Sequence, residues 1–244
     1  MDFPSVWCKT TDVMTTNIAI ILAGGTGSRM GTDMPKQFLP LKGKSVIEHT
    51  IQAFDNAPAI HEIAVVVHPE WEAHMQHIAE QNRWGKLTHI LQGGSERYLS
   101  SLNAIAAYLD YDDDTNLILH DAARPWVSQD IIQRVTDALQ QHPAVGVAIP
   151  STDTVWEVRQ DFSPNLSTFI ARIPDRATMW RAQTPQAFRL PIIRDAYQRA
   201  LQDPSFRATD DCGVVRRYMP EIKIHVIPGE EQNRKITFPE DLLL

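Results

Sequence analysis

Short apolar runs alternate with longer segments of helical periodicity through the first 150 residues of the chain. Five of these runs have the length of buried strands, and they begin at residues 17, 62, 87, 116 and 144. The segments between them carry apolar residues at helical spacing, as with Val46, Ile47, Ile51 and Phe54. Strands separated by helices of about 10–15 residues form βαβ units. The pattern therefore predicts an α/β fold with a mainly parallel, twisted sheet that is flanked by helices.

Glycines and polar residues follow three of these runs, at positions that share one edge of the predicted sheet. AGG follows the first run from Ala23, GGSER follows the third from Gly93, and HDAARP ends the fourth from His120. Ligands in open α/β sheets bind beyond the carboxyl ends of the strands. We therefore expect the functional site at this edge.

The pattern changes after Pro150, where apolar and polar residues alternate with period two. STDTVWEV and LSTFIARI flank the turn-rich RQDFSPN, which predicts a protruding β-hairpin arm at about residues 151–182. Two strands alone cannot bury a core, so we expect the arm to pack on a second copy of the chain in a homodimer.

Residues 1–16 are interpreted as an N-terminal extension and residues 17–244 as a single domain. Near the end of the chain, PIIRDAYQRAL predicts a helix, EIKIHVIPG a strand and FPEDLLL the start of a closing helix.

Composition narrows the class of partner. Thirty acidic residues against 23 basic ones give a net charge of −7, which argues against a nucleic acid or an anionic membrane as the main partner. The two cysteines, Cys8 and Cys212, are far apart and have no metal-ligand spacing. Their scarcity fits a reducing, cytoplasmic location. No stretch of 18 apolar residues predicts a membrane span.

The segment Leu22 to Phe38, LAGGTGSRMGTDMPKQF, places glycines directly after the first strand. Backbone N–H groups of such a turn, feeding a helix N-terminus, bind phosphate. A dinucleotide fingerprint requires glycine at position 30 and a P-loop requires Gly-Lys-Ser/Thr, and the chain has neither. We interpret the segment as a phosphate-binding loop whose Arg29 and Lys36 reach the β and γ phosphates of a nucleoside triphosphate. The alternatives are a purely structural glycine turn and two solvated surface charges. The glycines expected beside the phosphates are Gly24, Gly25 and Gly27.

Asp121 ends the fourth strand in LHDAARP. A carboxylate there can bind Mg²⁺, which prefers one or two carboxylates together with phosphate oxygens; the alternative is a turn or helix N-cap residue. Arg124 could meet a substrate phosphate, whereas His120 is interpreted as structural.

In GGSERYLSS, Gly93 and Gly94 offer backbone donors, and Ser95 and Ser100 offer hydroxyls able to contact a base; a helix N-cap is the alternative for Ser95.

Seven motifs occur in order over residues 17 to 244: LAGGTGSRMG, PKQF, GGSER, HDAARP, QTPQAF, TDD and KIT.PEDL. Together they resemble the cytidylyltransferases that make 4-diphosphocytidyl-2-C-methyl-D-erythritol. The resemblance implies a Rossmann-like nucleotidyltransferase fold. It also implies attack by a polyol phosphate on the α-phosphorus of CTP, with Mg²⁺ or another divalent cation bound and pyrophosphate leaving, in non-mevalonate isoprenoid synthesis.

The resemblance also implies roles for individual residues. Arg29 and Lys36 would stabilise the transition state, and Asp121 would bind the metal. Arg176 and Lys235 would orient the nucleophile, with Arg176 coming from the neighbouring subunit. The implied nucleotide site comprises Ala23, Gly24, Gly25, Gly27, Gly93, Gly94, Ser95 and Ser100. The implied polyol-phosphate site comprises Arg124, Thr154, Arg176, Thr184 and Lys235.

Other functions stay open at this point. LAGG, the segment Glu70 to His74 and the arm sequence IPDRATMW resemble the sister enzymes that activate D-ribitol 5-phosphate for cell-wall or capsule polymers. HDAARP, WRAQTPQAFR and PEDL favour methylerythritol phosphate as the acceptor. A sugar-1-phosphate nucleotidyltransferase would use the same kind of glycine-rich phosphate-binding loop, but the motif QTPQAF argues against that class of enzyme. A non-catalytic binding protein would be expected to lack at least one of the five charged residues Arg29, Lys36, Asp121, Arg176 and Lys235.

Overall fold

The structure is a computed structural model, and it describes residues 15–25, 34–160 and 168–243. The predicted N-terminal extension lies almost entirely outside these residues, as do Gly27 and Arg29 of the glycine-rich segment. The described elements run in the order β1 Asn17–Ala23, β2 Pro40–Leu41, β3 Lys44–Ser45, α1 Val46–Asp55, β4 Glu62–Val67, α2 Glu72–Asn82, β5 Leu87–Gln92, α3 Arg97–Ala107, β6 Asn116–Asp121, α4 Gln129–Leu139, β7 Ala144–Pro150, β8 Glu157–Gln160, β9 Thr168–Arg172, β10 Trp180–Arg189, α5 Leu190–Ala200, α6 Asp211–Tyr218 and β11 His225–Pro228.

Seven strands form one sheet in the order β11-β7-β10-β6-β1-β4-β5. The pairs β1 with β4, β1 with β6, β4 with β5 and β7 with β11 are parallel. Strands β1, β4 and β6 are almost wholly buried, because helices cover both faces of the sheet. The five strands predicted from the apolar runs are confirmed, and so is the mainly parallel α/β fold.

The two faces of the sheet carry separate hydrophobic clusters. Alternate residues of β1 illustrate this, since Ile21 packs with α1, α2 and α4 on one face while Ile20 packs with α3, α5 and α6 on the other. The spacing predicted for α1 holds, because Val46, Ile47, Ile51 and Phe54 are all buried. Ser45 and Glu48 form a capping box at its start.

Strand β10 was not predicted from the sequence. It carries WRAQTPQAFR, whose glutamines and proline are atypical of a central strand. It nevertheless lies between β6 and β7 and runs antiparallel to both, with an irregular pairing between Gln183 and Gln186. Because β10 runs in reverse, its first half lies at the carboxyl edge of the neighbouring parallel strands. The polar residues of QTPQ are therefore brought to the edge where a ligand would bind.

The hairpin arm is present as strands β8 and β9, which pair antiparallel and form a sheet of their own. The expected strand at STDTVWEV begins later than predicted, at Glu157. The turn-rich residues 161–167 lie outside the described part of the chain. Both faces of the arm and its base expose large apolar side chains: Val155, Trp156, Val158, Phe169, Ile170, Ile173 and Trp180.

The C-terminal third differs from prediction in three places. The helix at PIIRDAYQRAL is confirmed as α5, but the strand predicted over EIKIHVIPG is limited to His225–Pro228. FPEDLLL forms a single 3-10 turn, Pro239–Leu243, because Asp241 accepts hydrogen bonds from the N–H groups of Thr237 and Phe238. Helix α6, in DCGVVRRY, was not predicted. Among the described residues no helix is long and apolar enough to cross a membrane; the cytoplasmic location stays a prediction.

Candidate active site

A cleft of about 300 Å³ opens at the carboxyl ends of β1, β5 and β6. Its walls come from the end of β1, the turn before α3, the end of β6 and the C-terminal segment. This is the edge at which the sequence predicted a ligand. The lining residues are Leu22, Ala23, Gly24, Gly25, Lys36, Gln37, Ser95, Glu96, Arg97, Ser100, Asp121, Ala122, Ala123, Lys235 and Thr237. We refer to it as the first cleft.

Glycines bring two strand ends together beneath the first cleft. A Cβ on Gly93 would lie 2.9 Å from Ser100 Oγ and 3.4 Å from Gly24 Cα, and one on Gly24 would lie 2.6 Å from the same hydroxyl. The N–H of Gly94 donates to Ser100 Oγ at 3.2 Å, and that of Gly93 donates to Val67 O at 2.7 Å. Contrary to expectation, the N–H groups of Gly93 and Gly94 are thus engaged within the protein. Gly93 and Gly94 therefore allow the backbone segments beneath the cleft to approach closely, and they do not offer free N–H donors to a ligand.

The carboxylate of Asp121 is surrounded by three cations. Lys235 Nζ lies 2.8 Å from Oδ2, Arg97 Nε lies 3.4 Å from Oδ1, and Arg124 Nε lies 3.7 Å from Oδ2. Asp121 is only 8% exposed. Burial alone would raise the pKa of this carboxyl, but the charges of Lys235, Arg97 and Arg124 outweigh it and hold the pKa well below its ordinary value. The group is therefore ionised at neutral pH, and it is more than a turn or cap residue.

A second cleft, of about 260 Å³, lies on the other side of Asp121. Arg97, Asp121 and Lys235 line both clefts, so this ion cluster forms the wall where they meet. The remaining lining residues come from the loop after β6, from β10 and from the residues directly before α6: Arg124, Ala182, Gln183, Thr184, Gln186, Thr209 and Asp210.

The second cleft depends on Thr184 and His120, which join β10 to β6. Thr184 Oγ1 accepts a hydrogen bond from the backbone N–H of Asp121 at 3.1 Å. Burial lowers the pKa of His120 to about 4, so the ring is neutral. Its Nε2 lies 3.1 Å from Arg124 O and donates to it, which leaves Nδ1 to accept from the Thr184 hydroxyl. The structural interpretation of His120 holds, and the Thr184 hydroxyl proton is already used inside the protein.

The C-terminal segment ties together the cations of the two clefts. Lys235 pairs with Asp121, and the carbonyl of the next residue, Ile236, accepts a hydrogen bond from Lys36 Nζ at 2.6 Å. Ile236 is fully buried, and its N–H donates to Ala123 O. Three residues before Ile236, Asn233 is also fully buried and donates to Gln183 Oε1 and Thr184 O. One short segment therefore sets the positions of Lys36 and Lys235 relative to each other.

Comparison with known proteins decides the family. The profile of the IspD family, 2-C-methyl-D-erythritol 4-phosphate cytidylyltransferase, matches residues 17–244. The chain belongs to this family. A cytidylyltransferase of that name from Thermobifida fusca (strain YX) is 48% identical over 224 residues, which cover 92% of this chain and 89% of the relative. The bifunctional ribulose 5-phosphate reductase/CDP-ribitol pyrophosphorylase Bcs1 of Haemophilus influenzae is 40% identical over 228 residues, 93% of this chain but 47% of that protein.

Solved structures agree with the assignment to the IspD family. The 4-diphosphocytidyl-2C-methyl-D-erythritol synthase from Anaerococcus prevotii DSM 20548 superposes with a TM-score of 0.79 at 28% identity, covering 94% of each chain. The Francisella tularensis 2-C-methyl-D-erythritol 4-phosphate cytidylyltransferase gives a TM-score of 0.75 at 27% identity, covering 94% of this chain and 97% of the other. The Rossmann-like fold expected from the resemblance is thus confirmed, and so is the hairpin that the period-two pattern predicted.

The structure brings together most of the residues that the sequence placed in an IspD-type site. Ala23, Gly24, Gly25, Lys36, Ser95 and Ser100 line the first cleft, and Arg124 and Thr184 line the second. Ser95 is not the N-cap of α3, which is Glu96. Thr154 and Arg176 line neither cleft of their own chain. Both are exposed, and Arg176 Nη1 donates to Thr152 O within the arm at 3.3 Å.

Sequence reasoning missed several residues in and around the site, and four of them hold its parts together: Arg97, Asp211, Gln183 and Gln186. Arg97 and Asp211 lie within GGSER and TDD, motifs that were recognised but not interpreted residue by residue. Gln186 Oε1 accepts from the N–H groups of Asp211 and Cys212, which fastens the start of α6 to β10. Gln183 similarly holds the C-terminal segment through Asn233. A signal for both glutamines was present, because polar residues in a buried segment require partners.

The glycine contact beneath the first cleft gives a direct test of the nucleotide site. We expect Gly93→Ala to lower CTP affinity and turnover by roughly 100-fold, because the added methyl would lie 2.9 Å from Ser100 Oγ and 3.3 Å from Val67 O and so displaces Ser100 and the backbone around it. Gly85→Ala is the matched control, since its Cβ would meet nothing within 4 Å. CTP binding by calorimetry and pyrophosphate release would be measured for both. Equal affinity in the two variants would contradict this account of the cleft.

Proposed function

We propose that the first cleft binds CTP and the second binds the acceptor phosphate, so that the two substrates meet at Asp121. The reaction is transfer of CMP from CTP to 2-C-methyl-D-erythritol 4-phosphate, giving 4-diphosphocytidyl-2-C-methyl-D-erythritol and pyrophosphate. The family assignment and the 48% identity over 92% of the chain support this reaction. The observation that carries the site assignment is the pair of clefts that share Arg97, Asp121 and Lys235.

The charges at this junction suit phosphates on both sides. Arg97, Arg124 and Lys235 exceed the two carboxylates they face, Asp121 and Asp211. Lys36 adds a cation on the wall of the first cleft. Cations placed where charge develops stabilise the transition state of phosphoryl transfer. Arg29, in the glycine-rich segment, is proposed to stabilise the leaving pyrophosphate together with Lys36.

Magnesium is proposed as the cofactor, with Asp121 as its protein ligand. No group of three or more potential ligands occurs within residues 15–25, 34–160 and 168–243, so those residues offer no all-protein cage. A single carboxylate, that of Asp121, together with phosphate oxygens of the substrate is a donor set that fits Mg²⁺, which is commonly held in this way. Asp121 fits the role because it is ionised, lines both clefts and ends β6 at the first cleft. When bound, the metal would neutralise charge on the triphosphate.

The chemistry demands alignment and charge neutralisation from the protein. An oxygen of the acceptor phosphate attacks the α-phosphorus of CTP, and the bond from that phosphorus to the β-phosphate oxygen breaks as pyrophosphate leaves. A phosphate monoester has a second pKa near ~6, so at pH 7 it attacks without a protein base. Lys235 and Arg124 would hold the acceptor phosphate in the second cleft, and Lys36 would face the leaving group. Positioning and electrostatics supply most of the rate in such transfers.

The choice of nucleotide and acceptor is tested by crossing substrates in a pyrophosphate-release assay. CTP, UTP and ATP would each be combined with 2-C-methyl-D-erythritol 4-phosphate and with D-ribitol 5-phosphate. We expect turnover with CTP and methylerythritol phosphate to exceed every other pair. The CDP-ribitol relative from Haemophilus influenzae makes ribitol phosphate the informative competitor. Faster turnover with ribitol phosphate would show that the acceptor is assigned wrongly, and turnover with UTP alone would show that the nucleotide base is assigned wrongly.

Substitution of charged residues tests the mechanism. We expect Arg29→Ala, Lys36→Ala and Asp121→Asn each to lower kcat by roughly 10²- to 10³-fold, because the first two remove a cation that faces the phosphates and the third removes the charge proposed to hold the metal. Lys223→Ala is the matched control, since this exposed lysine lines neither cleft. Pyrophosphate release at saturating substrates would be compared. Turnover in all three variants within a few-fold of the Lys223→Ala control would refute these roles.

We also propose that the chain acts as a homodimer through its arm. Seven large apolar side chains stand exposed on β8, β9 and the base of the arm, including Trp156 at 58% and Phe169 at 59%. Exposed large apolar side chains gathered on one two-stranded arm are typical of an interface. Thr154 and Arg176 lie on the same arm and outside the clefts of their own chain. The proposed partner of this arm is a second copy whose acceptor cleft receives both residues.

Mixing inactive subunits tests this exchange of arms. Arg176→Ala and Lys36→Ala homodimers should each be nearly inactive. When their subunits are exchanged, one site of each mixed dimer is intact, so we expect roughly a quarter of the wild-type activity to return. Exchange of Arg176→Ala subunits with themselves is the control. If the mixture stays inactive while mass spectrometry shows mixed dimers, Arg176 serves its own chain and the proposal is wrong.

A further inference from the structure

Arg97 links the site to a carboxylate that the reaction does not use. Its Nη2 lies 2.8 Å from Oδ2 of Asp211, while its Nε lies 3.4 Å from Oδ1 of Asp121. Arg97 Nη2 has no aligned hydrogen-bond acceptor in the part of the chain that the structure describes, so its contact with Asp211 is an ion pair. One guanidinium therefore spans two carboxylates, and it does so with different nitrogens.

Asp211 is itself anchored from behind. It is completely buried, and the hydroxyl of the buried Tyr197 donates to its Oδ1 at 2.7 Å. Its backbone N–H donates to Gln186 Oε1 at 3.0 Å, which fixes the start of α6 against β10. Among the ion pairs of the described residues, Asp211 pairs with Arg97 alone. The position of the Arg97 guanidinium is thus set by a rigid group in the core.

The side chain of Arg97 is 25% exposed and lines both clefts, so it lies where the reacting groups would meet. Within the described residues, the Asp121 carboxylate accepts side-chain hydrogen bonds from Arg97 Nε and Lys235 Nζ. Its charged neighbours besides Arg97 are Lys235, which is 37% exposed, and Arg124, at 3.7 Å. Both of those cations are assigned to the acceptor phosphate and would have to divide their charge between it and Asp121. Arg97, paired to Asp211, remains to hold Asp121.

We propose that Arg97 is a positioning residue for cytidylyl transfer, which holds the Asp121 carboxylate at the junction of the two clefts and is itself held by Asp211. The inference rests on the function proposed above. A purely structural role for the pair Arg97–Asp211 would affect folding and leave the chemistry of the folded protein unchanged. The two roles differ because a buried charge left without its partner destabilises the protein, whereas removal of both charges together does not.

The double variant Arg97→Gln/Asp211→Asn separates stability from positioning. Each single variant is expected to melt earlier than the wild type, because it leaves one charge of the pair uncompensated. The double variant is expected to recover most of the melting temperature. Its kcat is nevertheless expected to stay about 10- to 100-fold below wild type, the usual cost of losing a group that orients a site ligand. KM for CTP should change less than kcat.

A second arginine–aspartate–tyrosine group provides the matched control. Arg217 Nη2 lies 2.6 Å from Asp203 Oδ2, and the Tyr218 hydroxyl donates to the same oxygen, but Arg217 and Asp203 line neither cleft. Arg217→Gln/Asp203→Asn should keep wild-type kcat. Arg97→Lys covers the case in which the double variant fails to fold. It keeps a cation for Asp211, but a single ammonium cannot span both carboxylates, so its kcat should fall about tenfold or more.

The outcomes are distinguishable. Recovery of the melting temperature with low kcat in Arg97→Gln/Asp211→Asn supports the positioning role, and wild-type kcat in that folded double variant overturns it and leaves the cytidylyltransferase function intact. If the double variant does not fold, Arg97→Lys decides in its place: low kcat in the folded protein supports the role, and wild-type kcat overturns it. Absence of CTP-dependent turnover in the wild-type protein would instead overturn the proposed function, and this inference with it.

Discussion

The ion cluster around Asp121 is the constraint on which the rest of the site depends. A carboxylate that is 8% exposed is stable as an anion only where cations compensate its lost hydration, and Lys235, Arg97 and Arg124 do so. These cations come from three distant parts of the chain: the C-terminal segment, the start of α3 and the loop after β6. Bringing them to one carboxylate requires the carboxyl edge of the sheet to be assembled first. The same cluster then separates two clefts and offers positive charge to each.

Two features of the fold deliver these groups. Strand β10 runs against its neighbours, so Gln183, Thr184 and Gln186 lie at the ligand edge rather than at the opposite end of the sheet. Gln186 holds α6 and hence Asp211, and Gln183 holds Asn233 in the C-terminal segment. The buried side-chain amides in the first half of β10 thus hold the neighbouring charged residues in position through hydrogen bonds. This explains why a polar, proline-containing sequence occupies a central strand: its polar groups are satisfied by the site it supports.

The extent of prediction from the sequence follows from these physical differences. The parallel strands were predictable because helices bury them on both faces, which leaves long apolar runs such as EIAVVV. Strand β10 and helix α6 were not, because their identity depends on partners elsewhere in the chain. Lys36 and Asp121 were predictable as site residues from their motifs. Arg97 and Asp211 were not, because the importance of a buried ion pair appears only when both partners are placed.

The sequence by itself determined the layered α/β fold, the sheet edge at which the clefts lie, the glycine-rich segment and the family. It did so because periodicity and turn residues are local properties that each segment carries wherever it lies. Only the tertiary structure showed that β10 runs antiparallel to its neighbours and that the N–H groups of Gly93 and Gly94 donate hydrogen bonds within the protein. It also showed that the guanidinium of Arg97 pairs with both Asp121 and Asp211. It also separated Thr154 and Arg176 from the clefts of their own chain. These are relations between residues that are distant in sequence, and only the packing of the sheet and its helices defines them.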